Sequence, residues 1–119
     1  MEAADYRPLS DKEHELLVWL LEHGPMNAAN FLPQLGIIEA RSSCRCGCPS
    51  IEFSVPVDSP FIDSPQGIRA FFLGRSGEDE VGLMLTAGSG VLSELEVYTF
   101  AEVDHPFDLP AINTLRFAS

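Results

Sequence analysis

Three cysteines stand at alternate positions of one short segment, at Cys44, Cys46 and Cys48. In an extended backbone alternate side chains point to the same face, so the three sulfur atoms can converge there. Three thiolates and one imidazole complete a tetrahedral zinc site. The chain has three histidines that can supply the fourth ligand: His14, His23 and His105. The segment is therefore a candidate metal site, and its residue types favour zinc.

Two other interpretations of the cysteine segment stay open. In the first it is a hairpin turn, in which Gly47 takes a positive φ, Pro49 ends the turn and the small thiols pack as apolar groups. In the second, Cys46 and Cys48 are the attacking and resolving thiols of a redox pair, or either of them pairs with Cys44, and the neighbouring cation of Arg45 favours a thiolate. The spacing lacks the paired C-x-x-C units of common zinc knuckles, and iron–sulfur clusters usually need four cysteines. We favour the structural turn over the metal site, and the metal site over the redox pair.

A second candidate site consists of carboxylates. Glu94 and Glu96 share one face of a predicted strand, and Glu52 on a neighbouring strand is expected to join that face. Asp79 lies in an acidic turn that extends the negative field. Paired carboxylates act as general acid and base only where their environments differ, and alternating acids on a strand usually form a solvated surface. We interpret these four residues as a docking face for a basic partner protein, because complementary charge speeds and orients association.

The element that begins the fold is a helix with clear signals at both ends. Ser10 followed by Glu13 matches the capping box, in which each side chain binds the backbone N–H of the other residue. Gly24 and Pro25 end the helix. The apolar residues between these signals form one wide side of the helix: Leu16, Leu17, Trp19, Leu20 and Leu21.

A short second helix and a sheet follow. Asn27 is expected to cap the second helix, which runs to Leu35 in at most two turns because Pro33 lacks an N–H. The period then changes from helical to alternating, which indicates β-strands. Five strands are predicted, at residues 36–43, 51–57, 68–73, 81–86 and 91–100. Short turns between them favour an antiparallel meander with one face covered by helices, in a single α+β domain over residues 1–119.

Length and charge exclude several classes of protein. The chain of 119 residues has a net charge of −11, which disfavours non-specific binding to nucleic acid or anionic membranes, because the counterion-release contribution to such binding is missing. The longest apolar run, residues 81–92, is too short for a membrane helix. Glu2 and Asp5 stand where a signal peptide carries positive charge, and an odd number of cysteines does not suit a secreted disulfide scaffold. We therefore expect a cytoplasmic protein, as a monomer or a homodimer.

Three segments together resemble a group of small bacterial proteins of unknown function. They are the cysteine segment with its Pro49, the first helix with its approach from Leu9, and the stretch from Gly90 to Tyr98, which reads G-x-L-x-x-L-E-V-Y. The resemblance implies a bacterial, single-domain, cytoplasmic protein. It supplies no catalytic or binding residues.

The function predicted from these features is that of a non-enzymatic binding or accessory protein. The serines lack the G-x-S-x-G context of a nucleophile elbow, so we favour a protein without catalytic activity and leave an enzyme open. Neutralisation of a toxin, as small acidic bacterial immunity proteins provide, is one concrete form of this function. The alternative is a metal-binding or thiol-redox protein built on the cysteine segment.

Overall fold

The computed structural model describes residues 6–42, 49–55, 67–88, 90–100 and 107–118. They form an α+β fold with an antiparallel sheet, which confirms the broad class predicted from the sequence. The helices are α1 (Asp11–His23), a first 3₁₀ helix (Ala28–Gly36) and a second 3₁₀ helix (Ile112–Thr114). The strands are β1 (Arg7–Pro8), β2 (Glu39–Ser42), β3 (Ile51–Ser54), β4 (Ile68–Ser76), β5 (Asp79–Gly88), β6 (Val91–Thr99) and β7 (Arg116–Phe117). Across the sheet they lie in the order β1-β2-β3-β6-β5-β4-β7.

Helix α1 begins and ends where the sequence predicts. The Glu13 N–H donates to the Ser10 side chain at 3.1 Å, and the Ser10 N–H donates to the Glu13 carboxylate at 2.9 Å, which completes the capping box. The leucines on the apolar side of α1 are fully buried, and Trp19 packs edge-on against Phe72 of β4 at 6.2 Å between ring centroids. Burial of these apolar residues against the sheet is the main stabilisation of a helix of this length.

The Glu13 carboxylate also joins α1 to the edge of the sheet. Both terminal nitrogens of Arg7, on β1, donate to it, at 2.7 and 2.8 Å. Burial raises the pKa of Glu13, but the hydrogen bonds from Arg7 and Ser10 lower this pKa by more, so it lies below its ordinary value. The pKa of Arg7 is raised, because its hydrogen bond to Glu13 outweighs desolvation. Both shifts favour the charged pair.

The predicted second helix is present as a 3₁₀ helix, but Asn27 does not cap it. Asn27 stands at the N-cap position, but its side chain makes no capping hydrogen bond. Pro33 lies inside the element and cannot donate the hydrogen bond that an α-helix requires there. Phe31 and Leu35 are buried as expected, and so is the polar Gln34.

The buried Gln34 side chain ties the first 3₁₀ helix to the sheet. Its amide nitrogen donates to the Gly90 carbonyl at 2.7 Å, and its amide oxygen accepts from the Leu92 N–H at 3.1 Å. Ser50 makes a comparable link, since its hydroxyl bonds both the N–H and the carbonyl of Val97. Polar groups buried in this core therefore have partners.

The sheet differs from the predicted five-stranded meander in strand number and in order. The described residues form seven strands, because β1 and β7 are two-residue edge strands, too short to show alternation. The predicted turn between β4 and β5 is also shorter, and only Gly77 and Glu78 lie between the strands. Strand β6 lies beside β3, with Ile51 opposite Leu95, so β3 and β4 are not neighbours. The connection from β3 to β4 is too long for a tight turn, and the meander rule fails there.

Alternation gives the sheet two different faces. The core face carries the buried apolar residues of the strands, and α1 and the first 3₁₀ helix pack on it. The opposite side is called the outer face below. In β4, for example, Ala70 and Phe72 point to the core face, while Arg69 and Phe71 point to the outer face. No described helix packs on the outer face.

Candidate functional site

The centre of the outer face is apolar. Phe71 and Leu73 come from β4, Met84 from β5 and Tyr98 from β6, and all four are half-buried. The register places Phe71 beside Met84, and places Leu73 and Tyr98 on either side of Gly82. These four residues, called the apolar stripe below, therefore form one continuous surface over three adjacent strands.

Tyr98 and Phe100 form an aromatic surface at one end of the apolar stripe. A side chain at Gly82 would meet the Tyr98 ring, because a Cβ there would lie 2.5 Å from its Cζ. The Tyr98 ring thus lies across the glycine, and Phe100 meets it edge-on at 5.5 Å between centroids. Phe100 is 58% exposed. Exposed aromatic side chains on a flat surface are typical anchors of protein interfaces.

Three of the four predicted acidic residues meet beside the apolar stripe. Glu52 on β3 lies directly opposite Glu94 on β6, and Glu96 lies two residues further along β6, opposite Met84. The Arg41 Nε lies 3.1 Å from the Glu52 carboxylate, so this charge is partly compensated. Within the described residues, Glu94 and Glu96 take part in no ion pair.

Asp79, the fourth predicted residue, lies far from the glutamates. It opposes Ser76 at the β4–β5 turn, where Gly77 takes a φ of 63°. Thr86, the residue beside Glu94, stands seven positions after Asp79 along β5, which corresponds to roughly 23 Å. At physiological ionic strength the Debye length is about 8 Å, so Asp79 does not strengthen the field at Glu94.

Asp79 instead lines a groove of about 690 Å³ at this end of the molecule. The residues that line it come from the start of α1, the β4–β5 turn and the C-terminal segment: Lys12, Ser76, Gly77, Glu78, Asp79, Phe107, Asp108, Leu109 and Ala111. The Asp108 N–H donates to the Ser76 hydroxyl at 3.1 Å, which holds the C-terminal segment against the turn. Among the residues that the structure describes, no group of three or more His, Cys, Asp or Glu side chains is arranged to hold a metal ion.

Sequence reasoning missed the arginines of the outer face. Arg69 and Arg75 on β4 alternate with buried residues and therefore point outward, and Arg116 on β7 lies opposite Leu73. The Arg116 guanidinium is 3.8 Å from the Glu80 carboxylate. The outer face is thus acidic on the β3–β6 side and basic on the β4–β7 side. The alternation of residues 68–76 contained this signal.

The cysteine segment lies outside the described residues, as does His105. The zinc, redox and structural-turn interpretations of Cys44, Cys46 and Cys48 therefore stay predictions. Of the candidate fourth ligands, His14 is exposed on α1. The His23 ring stacks on Trp19 at 4.1 Å between centroids, and its Nδ1 lies 2.9 Å from the Trp19 carbonyl oxygen. This stacking gives His23 a local structural role at the end of the helix.

No family model matches the chain, and no curated protein or solved structure is significantly similar to it. Within the described part of the chain, no helix has both the length and the apolar character that crossing a membrane requires. Function must therefore be argued from the outer face itself.

Proposed function

We propose that this protein is a non-enzymatic binding or accessory module that docks a partner protein on the outer face of its sheet. One observation carries the proposal. The half-buried apolar stripe lies on the face opposite the helices, with the exposed Phe100 at one end, and carboxylates that form no ion pair within the described residues border it. An exposed apolar patch with a polar border is the common form of a protein interaction site.

The carboxylates that border the apolar stripe indicate the chemistry of the partner. Glu94 and Glu96 lie beside residues that docking would bury, and a carboxylate that loses water without gaining a cation is costly. The partner therefore places basic groups opposite Glu94 and Glu96 and apolar groups over the stripe. Neutralisation of a basic toxin in a bacterial cytoplasm, as an immunity protein performs it, is a concrete form of this function.

Each part of the face has a separate physical role in this proposal. Tyr98 and Phe100 supply rigid aromatic area, which provides most of the affinity in protein interfaces. Glu94 and Glu96 mainly set the rate and orientation of association. Glu52 contributes less, because Arg41 already compensates its charge.

The experiment is an NMR titration with a synthetic amphipathic peptide that carries leucines on one face and arginines on the other. We expect amide shifts to concentrate on β4, β5 and β6. The double variant Glu94→Gln/Glu96→Gln should bind about ten-fold more weakly at low salt, because two charge pairs are lost. The matched control, Glu15→Gln/Glu22→Gln, removes the same charge from exposed positions of α1 and should bind as the wild type does. Shifts spread over α1, or equal losses in both double variants, would contradict the proposal.

A further inference from the structure

The charges of the outer face are separated by strand. Glu94 and Glu96 lie on β6, Arg69 and Arg75 lie on β4, and β5 runs between the two strands. Glu94 and Arg69 stand in one row across the sheet, with Thr86 of β5 between them. Within the described residues none of these four charged side chains takes part in an ion pair. The apolar stripe fills the space between the two charged borders.

We infer that the outer face binds a second copy of this chain, in a symmetric dimer whose two-fold axis runs along β5. Rotation about this axis places β4 of one copy over β6 of the other, so each Arg69 faces the Glu94 of the second copy. Two identical ion pairs form, which is the self-complementarity that a two-fold interface requires. The inference rests on the proposed function, and names a second copy as the source of the basic group opposite Glu94.

The rotation also fixes the contacts of the remaining rows of the sheet. Met84 meets Met84 at the axis, and Leu73 lies over Tyr98. Arg75 stands two residues beyond Leu73 on β4, and the exposed Phe100 follows the end of β6 two residues beyond Tyr98, so the guanidinium comes near an aromatic ring that can bind it. Glu80 comes near its own copy at the axis, and Arg116 at 3.8 Å partly compensates its charge.

The weakest match is in the row that contains Met84. There Phe71 lies over Glu96, so only the aliphatic part of the glutamate side chain offers an apolar contact. The strands of two sheets that pack face to face lie within about 30° of each other. Residues close to the two-fold axis therefore stay opposite their counterparts in the second copy.

The proposed dimer interface is small, and a weak affinity is expected for it. Four rows about 6.8 Å apart on the three central strands, which lie about 4.8 Å apart, and one outward residue from each of β3 and β7 give a projected area of roughly 450 Å² per copy. A standard interface buries about 800 Å² on each partner, so this dimer is small. We therefore expect a concentration-dependent dimer with a dissociation constant on the order of 10–100 µM.

The experiment is sedimentation equilibrium of the full chain at 150 mM NaCl, from about 5 µM to 1 mM. Glu94→Arg places two arginines opposite each other in each half of the dimer, and Arg69→Glu places two glutamates there. Each variant alone should self-associate at least ten-fold more weakly than the wild type. In an equimolar mixture, position 69 of each variant faces a residue of opposite charge at position 94 of the other variant. A heterodimer of wild-type affinity should therefore form.

The control is Glu15→Arg, which makes the same charge change on the exposed face of α1 and should leave dimerisation unchanged. Circular dichroism of each variant checks that it folds, and the mixture tests the interface with the same two proteins. Two variants that stay monomeric when mixed overturn the inference. A monomeric wild type that still binds the arginine–leucine peptide on its outer face overturns this inference alone and leaves the proposed function standing.

Discussion

The ion pair between Arg7 and Glu13 gives the sharpest stability prediction. Glu13→Gln keeps an acceptor for the Ser10 N–H, because glutamine also completes a capping box, but it removes the charge that faces Arg7. A hydrogen bond between charged groups stabilises by about 1.5–3 kcal/mol. The Arg7 side chain is 45% exposed, so water screens the pair and we expect a loss of about 1 kcal/mol at pH 7. In a chain of this size that lowers Tm by about 4 °C.

The pH dependence of this loss has a definite sign. The pKa of Glu13 lies below its ordinary value in the folded protein, so the pair stabilises fully above about pH 4.3, the pKa of a free glutamate. This stabilisation disappears as the pH falls through the lowered pKa of the folded state. Urea denaturation of wild type and Glu13→Gln at pH 7, 5, 4 and 3 should therefore give curves that converge at low pH. Glu15→Gln, at an exposed position of the same helix, is the control. A difference at pH 3 as large as that at pH 7, or no difference at pH 7, would refute the reasoning.

Three further predictions concern other parts of the molecule. Gln34→Leu leaves the Gly90 carbonyl and the Leu92 N–H without their partner and should cost about 2–4 kcal/mol in urea denaturation; a loss below about 0.5 kcal/mol would contradict this. Gly82→Ala should displace the Tyr98 ring and weaken peptide binding in the NMR titration, with a stability change below about 1 kcal/mol because the ring can move. If the cysteine segment holds zinc, native mass spectrometry of protein purified without chelator should show one zinc per chain, lost in the triple Cys→Ser variant; three thiols that titrate freely after unfolding would leave the structural turn.

The parts of the fold that depend on local signals could be predicted from the sequence. Ser10 and Glu13 form the capping box because both groups lie within one helical turn. Five strands were predicted from alternation or from β-forming residues, and β2 to β6 are found close to those positions. The order of the strands depends instead on which distant residues bury each other, such as Ile51 and Leu95, and no local pattern contains this information.

The candidate site was predictable only in part, for the same reason. Glu94 and Glu96 share a face because they are two residues apart on one strand. Their neighbours depend on the register with β5, which brings Arg69 into the row of Glu94 and leaves Asp79 at the far end of the strand. Gln34 shows the limit most clearly, since its two partners are 56 and 58 residues away in the chain.

The dependence of self-association on salt separates the two kinds of partner. The chain carries a net charge of −11, but its outer face is nearly neutral, with five glutamates and four arginines: Glu39, Glu52, Glu80, Glu94, Glu96, Arg41, Arg69, Arg75 and Arg116. Two copies therefore repel each other at a distance and attract each other only at contact. A basic partner, in contrast, is attracted at every distance.

The repulsion between the net charges of two copies depends on the distance between the copies. The molecule is 21 Å across in its shortest dimension. Stacked copies have their centres at about that separation. The Debye length is about 30 Å at 10 mM salt and about 8 Å at 150 mM, so the added salt removes most of the repulsion between the net charges. Ion pairs at contact are screened much less, because the interface excludes water and ions. The dimer should therefore tighten between 10 and 150 mM NaCl, whereas binding of the arginine–leucine peptide should weaken over the same range. Sedimentation equilibrium and the NMR titration measure the two trends, and a dimer that weakens steadily from 10 mM upward would contradict the charge arrangement proposed for its interface.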